Sequence, residues 1–125
     1  MKLAIPIKPA TGNASVFIMT FNEAINLRRC LESVTWSDDV VVLDSYSEDD
    51  TARIAQSFAN VRVLRRRFDD YSSQRNFGLH SVDYRNPWLL VLDADEVVES
   101  SLAREIQEIA AATDSASGID VYLVR

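Results

Sequence analysis

The chain has 125 residues, 47% of them hydrophobic and 26% charged, with a formal net charge of −6. That length and balance fit one folded domain with its own core and exclude disorder for the bulk of the chain. The negative charge disfavours binding along a nucleic-acid backbone, and one cysteine with one histidine excludes an internal disulfide and a Cys/His zinc site.

Residues 1–14, with Pro6, Pro9 and Gly12, read as a loose lead-in, too short and interrupted for a secretory signal. No apolar run reaches the length of a membrane span, so a cytoplasmic protein is the default expectation. Ser15–Thr20 is a continuous apolar run and predicts a strand buried on both faces. Asn22 is placed to cap the following helix, on which Ile25, Leu27, Leu31 and Val34 are spaced for one face. Cys30 falls in that helix as a small buried residue.

Asp39–Asp44 predicts a second buried strand, rich in β-branched residues. A polar turn, Ser45–Asp50, leads to a helix over Thr51–Phe58 with Ile54, Ala55 and Phe58 inward. Ser47, Asp50 and Thr51 are expected to shape that turn and cap the helix. Val61–Leu64 is a short third strand, followed by Arg65–Arg66–Arg67, which reads as a solvated strand end or a patch for phosphate or lipid headgroups. Tyr71–Leu79 predicts a helix that Asp70 or Ser72 starts, with His80 at its end in a structural or exposed place. Trp88–Leu92 is the fourth strand. Ser100 or Ser101 caps an amphipathic helix through Ile106, Ile109 and Ala110, and Gly118 breaks the chain before a last apolar stretch, Ile119–Val124. The alternation predicts an α/β fold: a mainly parallel sheet with helices on both faces. Residues 15–125 then form one domain, and the end at Arg125 inside a strand pattern suggests part of a longer protein.

Open parallel sheets bind ligands beyond the carboxyl ends of their strands. Three such ends are polar here: Thr20–Glu23, Asp44–Ser47 and Asp93–Glu96. Glu23, Asp44, Asp93, Asp95 and Glu96 are therefore expected on one rim. Clustered carboxylates repel unless a positive charge sits among them, and hard oxygen ligands favour Mg2+, Mn2+ or Ca2+. Asp93 and Asp95 are two apart and point the same way if the segment is extended, so they could share a cation with phosphate oxygens. The plainer reading, solvated turn acids, is less apt directly after a buried strand. No glycine-rich phosphate loop accompanies them, which removes P-loop and dinucleotide folds. A phosphatase using Asp-x-Asp would normally place that pair at the first strand.

Four segments in order resemble family 2 glycosyltransferases: VFIMTFNE (Val16–Glu23), VVVLDSYSEDDT (Val40–Thr51), QRNFGL (Gln74–Leu79) and LVLDADE (Leu90–Glu96). The likeness covers about Ser15 to Glu105 and looks closest to the branch with lipopolysaccharide-core glucosyltransferases. It implies a GT-A fold of Rossmann type, of which this chain is the nucleotide-sugar-binding part. It further implies a UDP-sugar donor, Mg2+ or Mn2+, and a hydroxyl on a glycan or lipid-linked acceptor. Thr20, Asn22 and Glu23 would then line the nucleotide pocket. Asp44 would accept from uracil or ribose, Arg75 would stand near base or diphosphate, and Asp93 would contact ribose or metal. Asp95 would bind the metal, and transfer would invert the sugar carbon. The family's general base lies farther along, beyond residue 125; Asp114 and Asp120 come too early. Peripheral contact with the inner face of a membrane stays open. The alternatives are a non-catalytic nucleotide-sugar-binding module, or a nucleotidyltransferase, which would need a glycine between Phe21 and Asn26 that is not there.

Overall fold

A computed structural model describes residues 2–6, 13–112 and 122–124. Its elements in chain order are β1 (Lys2–Pro6), β2 (Ala14–Thr20), α1 (Ala24–Glu32), β3 (Val40–Asp44), α2 (Thr51–Gln56), β4 (Val61–Arg65), α3 (Tyr71–His80), β5 (Trp88–Asp93), α4 (Ser100–Ala112) and β6 (Tyr122–Val124). One six-stranded sheet runs β4-β3-β2-β5-β1-β6. Four consecutive strands from one edge, β4, β3, β2 and β5, are parallel. β1 runs antiparallel to β5, and β6 antiparallel to β1.

The expectation for residues 1–14 is therefore corrected: Lys2–Pro6 is a sheet strand, with Leu3 opposite Val91 and Ala4 opposite Leu90. A five-residue strand that ends on a proline carries too little periodicity to be read from sequence. The break at Gly118 and the acids Asp114 and Asp120 lie outside the described residues, and only Tyr122–Val124 of the last apolar stretch is described.

β3 is buried along its whole length and β2 nearly so, as strands covered on both faces must be. Alternate residues divide between two cores. Val16, Ile18, Val40, Val42, Leu90 and Leu92 face α1, α2 and α4, meeting Leu27, Leu31, Ala55, Ile106 and Ala110. Phe17, Val41, Leu43 and Leu89 face α3, meeting Phe77 and Leu79. α3 can approach β2 because Gly78 has no side chain: a Cβ there would lie 1.9 Å from Cζ of Phe17.

Two helix expectations change. Ile25, read as an inward residue of α1, is 96% exposed, because the inward stripe is Leu27, Cys30 and Leu31. α4 begins at Ser100, with the Glu99 carbonyl accepting from Ala103 N at 2.9 Å, so Glu99 takes the cap position expected of a serine. Asp70 caps α3 as expected, accepting from Ser73 N at 2.7 Å.

The amino edge of the sheet is stapled by buried Asp39, whose carboxylate accepts from Ser15 Oγ (2.8 Å), Arg62 Nε (3.0 Å) and Arg85 N (2.8 Å). Such a charge is tolerable inside only because its lone pairs are filled. With that edge closed, the carboxyl edge is left for chemistry.

Candidate functional site

At the carboxyl edge the two loops after β2 and β3 are laced together. Asn22 N donates to Ser47 Oγ (2.8 Å), Glu23 N to Thr51 Oγ1 (2.9 Å) and Ala24 N to Asp49 Oδ2 (3.2 Å). Three successive amides at the start of α1 thus meet three acceptors spaced two apart in the next loop. This is what Ser47-x-Asp49-x-Thr51 does: it ties down the lead-in to α1, the cap residue Glu23 and the first free N–H of the helix, which lacks a side-chain cap of its own. The expected capping of α1 by Asn22 is corrected. Glu23 occupies the cap position, and Asn22 adopts a left-handed backbone (φ 52) while its Oδ1 accepts from Glu48 N at 2.8 Å. Asp50, expected to cap α2, makes no capping bond and pairs with Arg53 at 2.6 Å. Asp49, which sequence reasoning did not single out, has its carboxyl held below the usual range by the hydroxyl of Thr51 and by backbone amides.

Asp44 closes β3. Its carboxylate is wholly buried and accepts from Thr20 Oγ1 (2.7 Å), Ser47 N (2.8 Å) and Ser47 Oγ (2.5 Å). Tyr46, in the turn around it, also has positive φ, 58°. Two left-handed non-glycine residues in adjacent loops mark local strain at this edge.

Asp93 closes β5, and the chain turns at once: Glu96 N donates to the Asp93 carbonyl (2.9 Å), and Asp93 N to Glu96 Oε1 (2.9 Å). The segment is a turn, not an extension, so the two-residue alternation that would align Asp93 with Asp95 does not apply. Partial desolvation, then the charges of Glu96 and Asp95, push the Asp93 carboxyl above the usual range, while Arg75 of α3 pulls it back. Beneath the turn, Cys30 Sγ donates to the Asp93 carbonyl at 3.6 Å. Burial raises its thiol to about 12, helped by Glu96, Asp95, Asp93 and Glu23.

Four of the five expected acids act on the Cys30 thiol through their charge, and the fifth, Asp44, does not. Thr20 is level with Asp44, and Met19 with Asp93. Side chains alternate along a strand. Asp44 consequently leaves the sheet on the α1–α2 face and Asp93 on the α3 face, two strand spacings (about 9.5 Å) apart. The expected gathering of all five acids is thus corrected. Among the described residues no three acids or other ligating groups come close enough to hold a metal by themselves. Exposed oxygen donors on one turn, mutually repelling, nonetheless suit a hard cation that completes its shell with ligand oxygens.

On the same α3 face lies a cleft of about 130 Å3 lined by Met19, Thr20, Phe21, Ser45, Phe68, Tyr71 and Gln74. Phe21, Phe68 and Tyr71 are each about half exposed and wall it with aromatic rings. Sequence reasoning placed Thr20 here but missed Ser45, Phe68, Tyr71 and Gln74. Gln74 had a signal, standing beside Arg75 in QRNFGL, whereas Phe68 and Tyr71 had none. The basic run is not a single patch: Arg66 turns inward, its guanidinium 5.4 Å from the Phe77 ring centre, and Arg65 lies over Tyr46 at 5.9 Å. His80 is exposed at the end of α3. No helix among the described residues is long and apolar enough to cross a membrane.

Known proteins resemble this chain in sequence and fold. A family model described as glycosyl transferase family 2 matches residues 15–122. The lipopolysaccharide core biosynthesis glycosyltransferase LpsC of Rhizobium meliloti is 32% identical over 108 residues, covering 83% of this chain and 39% of that protein. The mannosyltransferase PcManGT of Pyrobaculum calidifontis, solved with GDP-Man and Mn2+, superposes with a TM-score of 0.65 at 19% identity, over 87% of this chain and 34% of that one. TarS of S. aureus, solved with UDP-GlcNAc, gives 0.63 at 21% identity, over 74% and 29%. The two solved structures confirm the GT-A fold. The chain spans about two fifths of the length of LpsC.

Proposed function

The chain belongs to glycosyl transferase family 2, and on that premise we propose that it forms the donor-binding part of an inverting, cation-dependent transferase. The donor is a UDP-sugar and the acceptor a hydroxyl of a glycan or lipopolysaccharide core. One observation carries this reading: by strand alternation the Asp93 side chain leaves the carboxyl edge on the α3 face, which also carries Arg75 and the aromatic cleft. A flat base between Phe21, Phe68 and Tyr71 is stabilised by stacking, and its diphosphate then runs toward Arg75 and the acidic turn. The names of LpsC and of the two solved neighbours, with their bound nucleotide sugars, agree with that class of chemistry.

Asp95 and Asp93 would hold Mg2+ or Mn2+, which when bound neutralises charge on the diphosphate as the sugar leaves. Asp93 is suited to this, since its ionised carboxyl is disfavoured by partial desolvation and then by the neighbouring acids, and gains from any cation placed among them. Arg75 neutralises the other side of the diphosphate. Thr20 lines the cleft while giving its hydroxyl hydrogen to Asp44. Asn22 and Glu23 shape the pocket mouth through the laced loops. Asp44 meets the nucleotide only if the Ser45–Ser47 turn moves; as observed, it fixes that turn. The acceptor hydroxyl attacks the sugar carbon opposite the departing diphosphate, which inverts it, and gives its proton to a carboxylate base. We place that base in the acceptor half, and the reaction in the cytoplasm.

Calorimetric titration with UDP, with and without Mn2+, tests the reading on the wild-type chain and on Asp95→Ala. Binding should depend on Mn2+ and weaken about tenfold or more in the variant, the loss of one charged contact. Cation-independent binding that the substitution leaves unchanged would refute it.

A further inference from the structure

The acidic turn after β5 is fixed both from within and from the helix beneath it. Glu96 N donates to the Asp93 carbonyl and Asp93 N to Glu96 Oε1, each at 2.9 Å. Glu96 thus gives the Asp93 backbone both a donor and an acceptor, as a neighbouring strand would. From α1, Cys30 Sγ donates to the same Asp93 carbonyl at 3.6 Å. Ser33, which closes α1, gives its hydrogen to the Cys30 carbonyl (2.6 Å) and accepts from Val98 N (2.9 Å). Ala94 and Val98 are buried in the core that holds Leu27 and Leu31 of α1. Both ends of the segment Asp93–Val98 are therefore anchored to one helix.

The three acids of this turn are not equivalent. Asp93 and Asp95 flank the buried Ala94 and are exposed, whereas Glu96 is half-buried. An ionised carboxylate can only accept. One oxygen of Glu96 takes a backbone N–H, and a bond with an ionised acceptor is stronger than one between neutral groups. A cation that drew Glu96 outward as a ligand would strip Asp93 N of that partner.

We infer that Glu96 is a positioning residue and not a cation ligand: it folds back to splice the turn, and so holds Asp93 and Asp95 outward as a seat formed in advance. This rests on the cation-site reading above and divides the work among its acids. Clustered carboxylates repel and would spread apart on a slack loop. A loop already held spares the incoming ion the cost of ordering it. Ser33 assists from α1 by holding the far end of the turn at Val98.

The test is Mn2+ titration of the full chain with UDP present, with free Mn2+ followed by electron paramagnetic resonance. Glu96→Gln keeps an oxygen for Asp93 N and loses only the charge, so it should weaken Mn2+ by at most about fivefold, the effect of one exposed charge. Glu96→Ala loses the splice as well and should bind about tenfold more weakly again. Hydrogen exchange reads the splice itself: the Asp93 amide should stay protected in Glu96→Gln and exchange faster in Glu96→Ala. Asp95→Ala should lose Mn2+ while that amide stays protected, which separates a ligand from a positioning residue. Circular dichroism checks that each variant folds; should Glu96→Ala not fold, Glu96→Gln decides alone, and a loss of about tenfold or more in it overturns the inference. Equal large losses in the two Glu96 variants would make the side chain a ligand, and no loss in either would make it a bystander. Either result overturns the inference and leaves the cation site standing. Failure of wild type to bind Mn2+ overturns both.

Discussion

Asp93 shows how single groups at this edge are tuned. Partial desolvation and the charges of Glu96 and Asp95 raise its carboxyl, with Arg75 opposing. A folded state that holds a proton more tightly than the unfolded chain loses stability as pH rises from the unfolded value through the folded one. Asp93 therefore opposes folding once ionised, above that window, and is neutral in effect below it. Asp93→Asn should match or exceed the wild type's melting temperature at neutral pH, by at most about 2 °C because the group is exposed and screened, with the difference vanishing in acid. Mn2+ should raise the melting temperature of wild type at neutral pH, and clearly less in the variant. Differential scanning fluorimetry across pH decides this; a variant less stable than wild type at neutral pH would contradict it. Asp44 is held by contacts of its own: its buried carboxylate accepts three internal hydrogen bonds. The residue types at both places could be read from the sequence. The sheet face each one takes could not, because a one-position difference in register between Met19–Asp93 and Thr20–Asp44 decides it.

At the scale of elements, the parallel strands and their helices were legible because β2, β3 and β5 are short apolar runs and α1 and α4 carry a spaced stripe. β1 was not, since pairing with β5 gives it its conformation and its own sequence does not. The motif segments were legible as a resemblance, but their physical work is only visible in three dimensions. Ser47, Asp49 and Thr51 serve the helix before them, through bonds spanning 25 to 28 residues. Gly78 is similar: within QRNFGL it reads as a helix-weakening residue, while in the fold it admits α3 onto Phe17. Gly78→Ala should gain about 1 kcal/mol of helix propensity and lose more to the clash, for a net loss of about 2 kcal/mol. Urea unfolding measures it. A neutral or stabilised variant would mean that α3 stands off the sheet.

For the whole molecule, the amino edge is closed by Asp39 and Arg62, and the carboxyl edge is held open by two laced loops, an acidic turn and an aromatic cleft. Charge is unevenly placed: the chain carries a formal −6, and the charges of Glu96, Asp95, Asp93 and Glu23 all act on Cys30. Such a concentration favours a cation over that corner. The family and its GT-A fold follow from the chain itself; sugar transfer is the proposal built on them. Paramagnetic broadening by Mn2+ in amide NMR spectra tests the heart of it, since the ion reports its own position. With UDP present, the amides of Asp93–Val97, Glu23 and Arg75 should broaden first, and those around Asp39 at the far edge should stay sharp. Broadening centred on the far edge, or spread evenly over the acidic surface, would contradict a cation site at the Asp93–Asp95 turn.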